Sequence, residues 1–284
     1  MKYALVWMLA LSLVLGMGAC ARAESITGCG ITVDTEDTAI DFGNVRVTDA
    51  QELVELLDQM PNLTQVDMYA SSLKRTATDM LFDRYPNITF GWTFWVGDHK
   101  LRTDQTAFST LHGRDPEPAH MSRDFEKLRY CKNLQALDIG HNWVDDLEFL
   151  RDLPQLKVLI LACNDIVDIT PIADLKDLEY LELFTNDITD ISPLTELTKL
   201  RDLNIKNNPI KDFSVLEKMT WLERLWLGMN VTISDEQKAA IEAALPSCEI
   251  DWDNNPTEGT WRKHPHYFVI YDMFRSPDYV PFDD

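Results

Sequence analysis

Apolar positions in the middle of the chain recur with a period of 22 residues. Leucine stands at Leu134, Leu156, Leu178, Leu200 and Leu222, and an asparagine follows each of these leucines after eight residues. A period of about 20 to 50 residues is typical of a solenoid, because each unit can bury its apolar face only against its neighbours. The pattern therefore predicts a stack of repeated units in place of one central core.

Within one unit the apolar spacing changes from that of a strand to that of a short helix. In the segment LEYLELFTNDITDISPLTEL (178–197), Leu181 and Leu183 alternate as one face of a strand does. From Ile188 onward the apolar residues follow at turn and short-helix spacing, and Pro193 suits a first helical turn, where no N–H donor is lost. Each unit is therefore predicted to be a strand, a turn and a short helix, and each buried leucine contributes about 2 kcal/mol.

The asparagine of each unit is predicted to be structural. The chain must turn after each strand, and this leaves inward backbone groups that need hydrogen-bond partners. A side-chain amide can donate to one unit and accept from the next. The predicted asparagine ladder consists of Asn142, Asn164, Asn186, Asn208 and Asn230.

The repeat consensus, LxxLxLxxNxIxDIxPLxxL, resembles the 22-residue leucine-rich repeat of the internalin class over roughly residues 134–235. This resemblance implies an α/β fold, a leucine-rich repeat solenoid. Its curved parallel β-sheet would carry short helices and 3-10 turns on the convex side and would present a concave binding face. The resemblance implies no catalytic chemistry.

The segments outside the regular repeats suggest a division into five parts. Ala50 to Met60 and residues 236–244 read as helices, and residues 93–102 read as a hairpin around Gly97. Many aromatic residues near the end argue against a disordered tail. We expect a signal peptide (1–19), an N-terminal tether (20–35), an irregular repeat module with a hairpin (36–103), the regular repeats with a C-terminal cap helix (104–252) and an aromatic-rich segment packing on that cap (253–284).

The start of the chain reads as an export signal. Lys2 precedes an apolar stretch, Ala4 to Gly18, which is too short for a stable membrane span. Met17-Gly18-Ala19-Cys20 then matches a lipobox, in which Cys20 would be lipidated and anchor an envelope protein at the surface. Cleavage after Ala23, which would release a secreted protein, is the alternative.

Charge narrows the classes of partner. The formal net charge of −21 becomes −22 when the leader is removed with its single charge, Lys2. Such an excess repels nucleic acid and anionic membrane surfaces, so membrane contact is expected only through a lipid anchor. It suits a basic protein or peptide, although acidic residues are often only a solvated surface.

The predicted binding site lies on the concave face, where strand residues between the inward leucines point. Several of these residues are larger and more apolar than is usual for a solvent-exposed surface without a binding partner, and charged residues lie beside them. The alternative is that the C-terminal segment covers them. The predicted partner-binding residues are Val158, Ile160, Tyr180, Glu182, Phe184, Asp202, Lys206, Arg224 and Trp226.

The sequence predicts no metal site, cofactor or catalytic centre. The cysteines show no CxxC spacing, and Cys248 at an apolar position reads as a buried free thiol. His264 and His266 lack a third nearby ligand in the sequence. A column of single carboxylates is expected to cap the short helices and not to bind calcium: Asp146, Asp168, Asp190 and Asp212.

The sequence therefore predicts a non-enzymatic, extracytoplasmic, membrane-tethered protein that binds a protein or peptide through its concave face. One alternative is an envelope carbohydrate-binding or hydrolytic protein, which would need two carboxylates held together in a cleft. Another alternative is a structural spacer without a ligand, whose concave face is sealed by its own C-terminal segment.

Overall fold

The computed structural model describes residues 24–111, 119–230, 233–254 and 263–282. The predicted signal peptide (1–19) and the lipidation site Cys20 lie outside these residues. No helix within the described ranges is long and apolar enough to span a membrane.

The described chain alternates short strands with helices. The α-helices are α1 (Ala50–Leu57), α2 (Arg75–Arg84), α3 (Asp235–Ala244) and α4 (Pro265–Arg275). The strands are β1 (Ser25–Gly28), β2 (Ile31–Asp34), β3 (Ala39–Asp41), β4 (Gln65–Asp67), β5 (Thr89–Gly91), β6 (Thr93–Val96), β7 (His99–Arg102), β8 (Ala107–Ser109), β9 (Ala136–Asp138), β10 (Val158–Ile160), β11 (Tyr180–Glu182), β12 (Asp202–Asn204), β13 (Arg224–Trp226) and β14 (Glu249–Asp251).

Strands β8 to β14 form one seven-stranded parallel sheet in strict chain order. Tyr180 is paired with Val158 on one side and with Asp202 on the other, so equivalent repeat positions form straight columns. The predicted leucine-rich repeat solenoid is therefore confirmed. Its 3-10 helices are Ser122–Asp124, Glu126–Tyr130, Glu148–Asp152, Thr170–Asp174, Ser192–Glu196 and Leu216–Lys218.

The core is a continuous stack of aliphatic side chains behind the sheet. Leu159, Leu181 and Leu203 occupy the same position in successive repeats, and all three are fully buried. The same cluster extends from Val96 in β6 to Leu245 after α3. Each repeat therefore contributes a layer whose burial depends on the layers above and below it.

The asparagine ladder forms as predicted. The Asn186 side-chain amide donates to the carbonyls of Leu161 and Leu183, both at 3.0 Å, and its oxygen accepts the Ile166 N–H at 3.1 Å. The residue before each ladder asparagine has a positive φ between 55° and 62° although none is a glycine: His141, Cys163, Thr185, Asn207 and Met229.

The carboxylates predicted to cap the 3-10 helices bond just ahead of these helices and not from the N-cap residues, which are Ile169, Ile191 and Val215. The carboxylates of Asp168, Asp190 and Asp212 each accept the backbone N–H two residues later, at 2.8, 2.8 and 2.9 Å. Hydrogen bonds from Thr170 lower the pKa of Asp168, and those from Ser214 lower the pKa of Asp212. Each carboxylate thus closes a turn that leads into the next 3-10 helix.

The N-terminal module repeats this plan less regularly. Strands β3, β4 and β5 form a separate parallel sheet, and the Ser71 hydroxyl accepts the Val47 N–H at 2.8 Å as a ladder asparagine would. The predicted hairpin is formed by β6 and β7, and its residues Val96 and Leu101 enter the core of the regular repeats. The hairpin therefore joins the two modules.

The predicted tether at residues 20–35 is wrong where the structure describes it. Residues 25–34 form the hairpin of β1 and β2, which contacts α1. Ile26, Ile31 and Val33 pack against the N-terminal core, so their alternating apolar pattern indicates a half-buried hairpin. This segment belongs to the folded module.

We predict that Asn186→Ala lowers the free energy of unfolding by about 1–3 kcal/mol, because the variant leaves the buried Ile166 N–H without its partner. The carbonyls of Leu161 and Leu183 each lose one of two bonds and keep the bond from the neighbouring ladder asparagine. Urea unfolding followed by circular dichroism measures the change. Asn133→Ala at an exposed position is the control, with an expected change within about 0.5 kcal/mol. Equal effects of the two substitutions would contradict the structural role of the ladder.

Candidate functional site

Helix α4 lies on the concave face of the solenoid. Its residues His266, Ile270, Met273 and Phe274 are buried, and they stand at i, i+4, i+7 and i+8, which is one face of a helix. The last three form one apolar cluster with concave residues of four successive strands, β8 to β11, and of the turn after β10. That cluster also contains Ala107, Ala136, Val158, Ile160, Ala162, Tyr180 and Phe282.

The residues after α4 continue along the same face. Ala107 N–H donates to the Pro277 carbonyl at 3.1 Å, and Tyr279 N–H donates to the Thr106 hydroxyl at 2.8 Å. The Phe282 ring lies 6.1 Å from the Tyr180 ring. The expectation that residues 253–284 pack on the cap is therefore wrong for residues 265–282, because this apolar helix face fits the concave columns.

A buried charged cluster holds the beginning of α4. Asp202 is 1% exposed and is bonded to the Arg224 guanidinium, while Asp202 Oδ2 lies 2.7 Å from His266 Nδ1. Arg224 Nη1 lies 2.7 Å from His264 Nε2, and burial lowers the pKa of His264. Removing one member of such a cluster leaves an uncompensated buried charge, so the cluster fixes α4 against β12 and β13.

Most of the predicted partner-binding residues are therefore not available to a partner. Glu182 and Phe184 remain half-buried at the edge of the covered region. The prediction of an open patch is wrong for the other seven. Buried are Val158, Ile160, Tyr180, Asp202, Lys206, Arg224 and Trp226.

The covering comes from two sides of the face. Helix α4 and the segment after it lie over the columns of β8 to β11. At the other end the chain after β14 passes so closely that a Cβ on Gly228 would lie 1.8 Å from the Asp253 carbonyl oxygen. Both segments lie outside the repeats, and the repeat pattern gives no information about where they go.

One titratable group is buried at the first strands of this face. Asp138 accepts hydrogen bonds from the Ser109 hydroxyl and the Gly140 N–H, both at 3.1 Å. Burial nevertheless raises the pKa of Asp138 to about 6, because the two bonds only partly replace the hydration of the carboxylate. The carboxyl thus changes charge close to neutral pH.

The outer face of α4 is the exposed part of the concave side. Phe268 is 56% exposed and Tyr271 is 45% exposed, and these two rings stand three residues apart on the helix. The Arg275 guanidinium lies 5.4 Å from the centre of the Tyr271 ring. We call the two exposed rings, Phe268 and Tyr271, the aromatic surface.

The two neighbouring histidines of the C-terminal segment are held by other residues. His264 and His266 contact Arg224 and Asp202, so a cation there would meet the fixed positive charge of the guanidinium. Cys248 is half-buried and not fully buried as predicted, and burial raises the pKa of its thiol to about 12. Among the described residues, one group of three side chains has the spacing of metal ligands. It consists of Asp98, His99 and His120 and lies at the hairpin of β6 and β7.

Comparisons with known proteins agree with the repeat architecture. A family profile described as Leucine Rich repeats (2 copies) matches residues 154–196, and one described as Leucine Rich repeat matches residues 130–147. The chain therefore contains leucine-rich repeats, and neither matching profile is that of an enzyme. A search of curated proteins gave no significant match.

Solved structures give likenesses at low identity. Internalin C2 of Listeria monocytogenes is 23% identical, over 76% of this chain and 80% of that one, with a TM-score of 0.43. A leucine-rich repeat protein of Leptospira interrogans is 23% identical, over 69% of this chain and 50% of that one, with a TM-score of 0.45. An internalin of Listeria monocytogenes, inlF, is 18% identical, over 80% and 86%, with a TM-score of 0.38. At this level of identity and structural similarity, these proteins share with the chain only the repeat fold.

We predict that Met273→Ala lowers the free energy of unfolding by about 2–5 kcal/mol, because Met273 is fully buried between α4 and the sheet. Chemical unfolding measures the change. Val280→Ala, at a side chain 47% exposed, is the control and should change stability by at most about 0.5 kcal/mol. A Met273→Ala variant as stable as this control would show that α4 does not pack on the concave face.

We predict that Asp138→Asn raises the free energy of unfolding at pH 7.5 by about 1–3 kcal/mol. A carboxyl with a raised folded-state pKa favours folding when protonated, and this contribution is lost as pH rises from 3.8 to about 6. The difference between variant and wild type should therefore shrink towards pH 4. Urea titrations at both pH values test this, and a difference independent of pH would refute the assignment.

Proposed function

We propose that this chain is an exported, envelope-anchored binding protein, and that its partner is a protein or peptide that docks on the aromatic surface over the concave face. The lipobox at Cys20 supports export and anchoring. The exposure of Phe268 and Tyr271 on α4 is the observation that carries the docking proposal. Large exposed rings at the solvent side of an otherwise well-covered face favour contact with another molecule.

Docking on α4 is favoured over displacement of α4. The helix buries Ile270, Met273 and Phe274, and each such side chain contributes about 1.5–3 kcal/mol when buried. Displacement would also expose the Asp202 and Arg224 charges together with their apolar surroundings. A ligand would have to supply all of this free energy before it gained any affinity.

The chemistry of the surface favours a basic partner. Phe268 presents a ring face that attracts Lys and Arg side chains, and the Arg275 guanidinium, 5.4 Å from the centre of the Tyr271 ring, is an example of such a contact on this helix. Asp272 and Asp278 are exposed on and after the same helix, and the net charge of −21 adds a long-range attraction for cations. We therefore propose a segment that combines apolar residues with lysine or arginine.

A structural spacer remains the second candidate function. It is favoured by one observation, namely that the chain's own C-terminal segment already covers the apolar columns of the concave face. In that case the aromatic surface would have no partner. The two candidates differ in whether substitutions on α4 change binding.

We predict that Phe268→Ala/Tyr271→Ala removes the binding of basic peptides while the melting temperature stays unchanged, because both rings are exposed. The folded protein is used as bait against a displayed random-peptide library, and the affinity of enriched peptides is then measured by fluorescence anisotropy. Wild type should enrich Lys- or Arg-containing peptides, and the double variant should bind them at least about tenfold more weakly, since interface aromatic residues contribute about 2 kcal/mol or more.

Trp95→Ala is the matched control, because Trp95 is 53% exposed and lies on β6 of the N-terminal module. Its affinity for the selected peptides should equal that of wild type. Peptides that bind wild type and the α4 double variant equally would move the site away from α4. A library from which nothing is enriched would leave the spacer as the supported function.

A further inference from the structure

A second site is built where the hairpin of β6 and β7 meets the first turn of the regular repeats. Asp98 and His99 lie at the tip of the hairpin, and His120 comes from the segment that precedes the first 3-10 helix. One ligand atom from each of these residues lies within 4.8 Å of the other two. We propose that these side chains bind a divalent transition-metal ion of the Zn²⁺ type.

His120 departs from the repeat in a way that calls for an explanation. Its backbone N–H donates to the Asn142 side-chain oxygen at 2.8 Å. In the following repeats the same bond to the next ladder asparagine is made by Val144 and Ile166, at 3.0 and 3.1 Å. His120 therefore takes the hydrogen-bonding role of these aliphatic residues, although it lies 22 and not 20 residues before its asparagine, and its side chain is 5% exposed.

An imidazole in such a position is costly unless its ring nitrogens have polar partners. Phe125 packs against the ring with 6.1 Å between ring centres, so the apolar side is filled. The second imidazole, His99, lies 5.5 Å away between ring centres and is in turn packed against Phe108. Two histidines held by packing in one corner give a rigid pair of metal ligands.

Gly97 allows the hairpin to approach this corner. It has φ of +58°, and a Cβ placed on it would lie 1.9 Å from the His120 ring. Any side chain at this position would push the hairpin away from His120. The close approach brings Asp98 Oδ1 to 3.4 Å from His99 Nε2 and to 3.8 Å from His120 Nε2.

The donor set suits a first-row transition metal. Two imidazoles and one carboxylate are ligands of Zn²⁺, with bonds of about 2.0–2.2 Å and ligand atoms about 3.3 Å apart in a tetrahedron. The two separations from Asp98 Oδ1, 3.4 and 3.8 Å, are close to this, and the ligand atoms of the two histidines lie within 4.8 Å of each other, so side-chain rotations would have to complete the geometry. Asp98 is exposed, and the fourth position would face solvent and hold water.

Metal binding here would connect two parts of the chain. Asp98 and His99 belong to the hairpin that joins the modules, whereas His120 belongs to the first turn of the regular repeats. An ion that binds all three in the folded state and does not bind the unfolded chain equally well must stabilise the fold. The site therefore predicts that Zn²⁺ stabilises the junction of the two modules.

The test is titration of the full, tag-free protein with ZnCl2 by isothermal calorimetry, combined with thermal unfolding with and without the ion. We expect one ion per chain and a higher Tm with Zn²⁺. His120→Ala and Asp98→Asn should each weaken binding at least about tenfold, since even residues behind metal ligands contribute that much. Asp98 is exposed, so Asp98→Asn tests the site even if His120→Ala does not fold.

His141→Ala is the matched control, because His141 is an exposed histidine of the next repeat. Its affinity for Zn²⁺ and its thermal shift should equal those of wild type. Co²⁺ supplies a direct signature, since tetrahedral binding gives visible absorption bands that Asp98→Asn should weaken. Absence of Zn²⁺ binding by wild type, or equal binding by wild type and Asp98→Asn, would overturn the proposal.

Discussion

The turn after each strand is the constraint on which the rest of this structure depends. The residue before every ladder asparagine has a left-handed backbone, with φ between 55° and 62°, and none of these residues is a glycine. Such a conformation is unfavourable for an ordinary side chain. The asparagine offsets this by bonding to backbone groups of its own repeat and of the previous one, as Asn164 does with Leu161 and Ile139. One side chain therefore sets both the turn and the distance between repeats.

Because the repeats are in exact register, equivalent residues form columns on the concave face. Where these residues are apolar, the columns are unfavourably exposed to water unless another segment covers them. When Val158 and Tyr180 stand side by side on β10 and β11, they form an apolar strip that water would solvate poorly. Helix α4 lies on this strip. The ion cluster of Asp202, Arg224 and His266 fixes where the helix begins, because a buried charge tolerates only a position with its partners. The surface offered to a partner is consequently not the sheet but the far side of the helix that covers it.

The repeat fold could be predicted because its signals are local and periodic. Leu181, Asn186 and Asp190 each have one role, which the same position plays again 22 residues later. The position of α4 has no such signal. His266 contacts Asp202 across 64 residues. The aromatic content of the segment predicted that it would pack on the solenoid, and the helical spacing of Ile270, Met273 and Phe274 is the signal that could have shown which face is buried. The predicted binding residues do form columns on the concave face, but most of them are buried and were expected to be exposed.

Departures from the repeat have a common physical meaning in this chain. A buried position that is aliphatic in one repeat can become polar in another only if a group from elsewhere compensates its lost hydration. Asp202 stands in the column of Val158, and the compensation comes from Arg224 and from His266 on α4. His120 makes the bond to a ladder asparagine that Val144 makes in the next repeat, and Asp98 and His99 on the hairpin approach it. In both cases the polar residue lies where a segment outside the repeats packs on the solenoid. A polar residue at a buried repeat position therefore indicates where such a segment is attached.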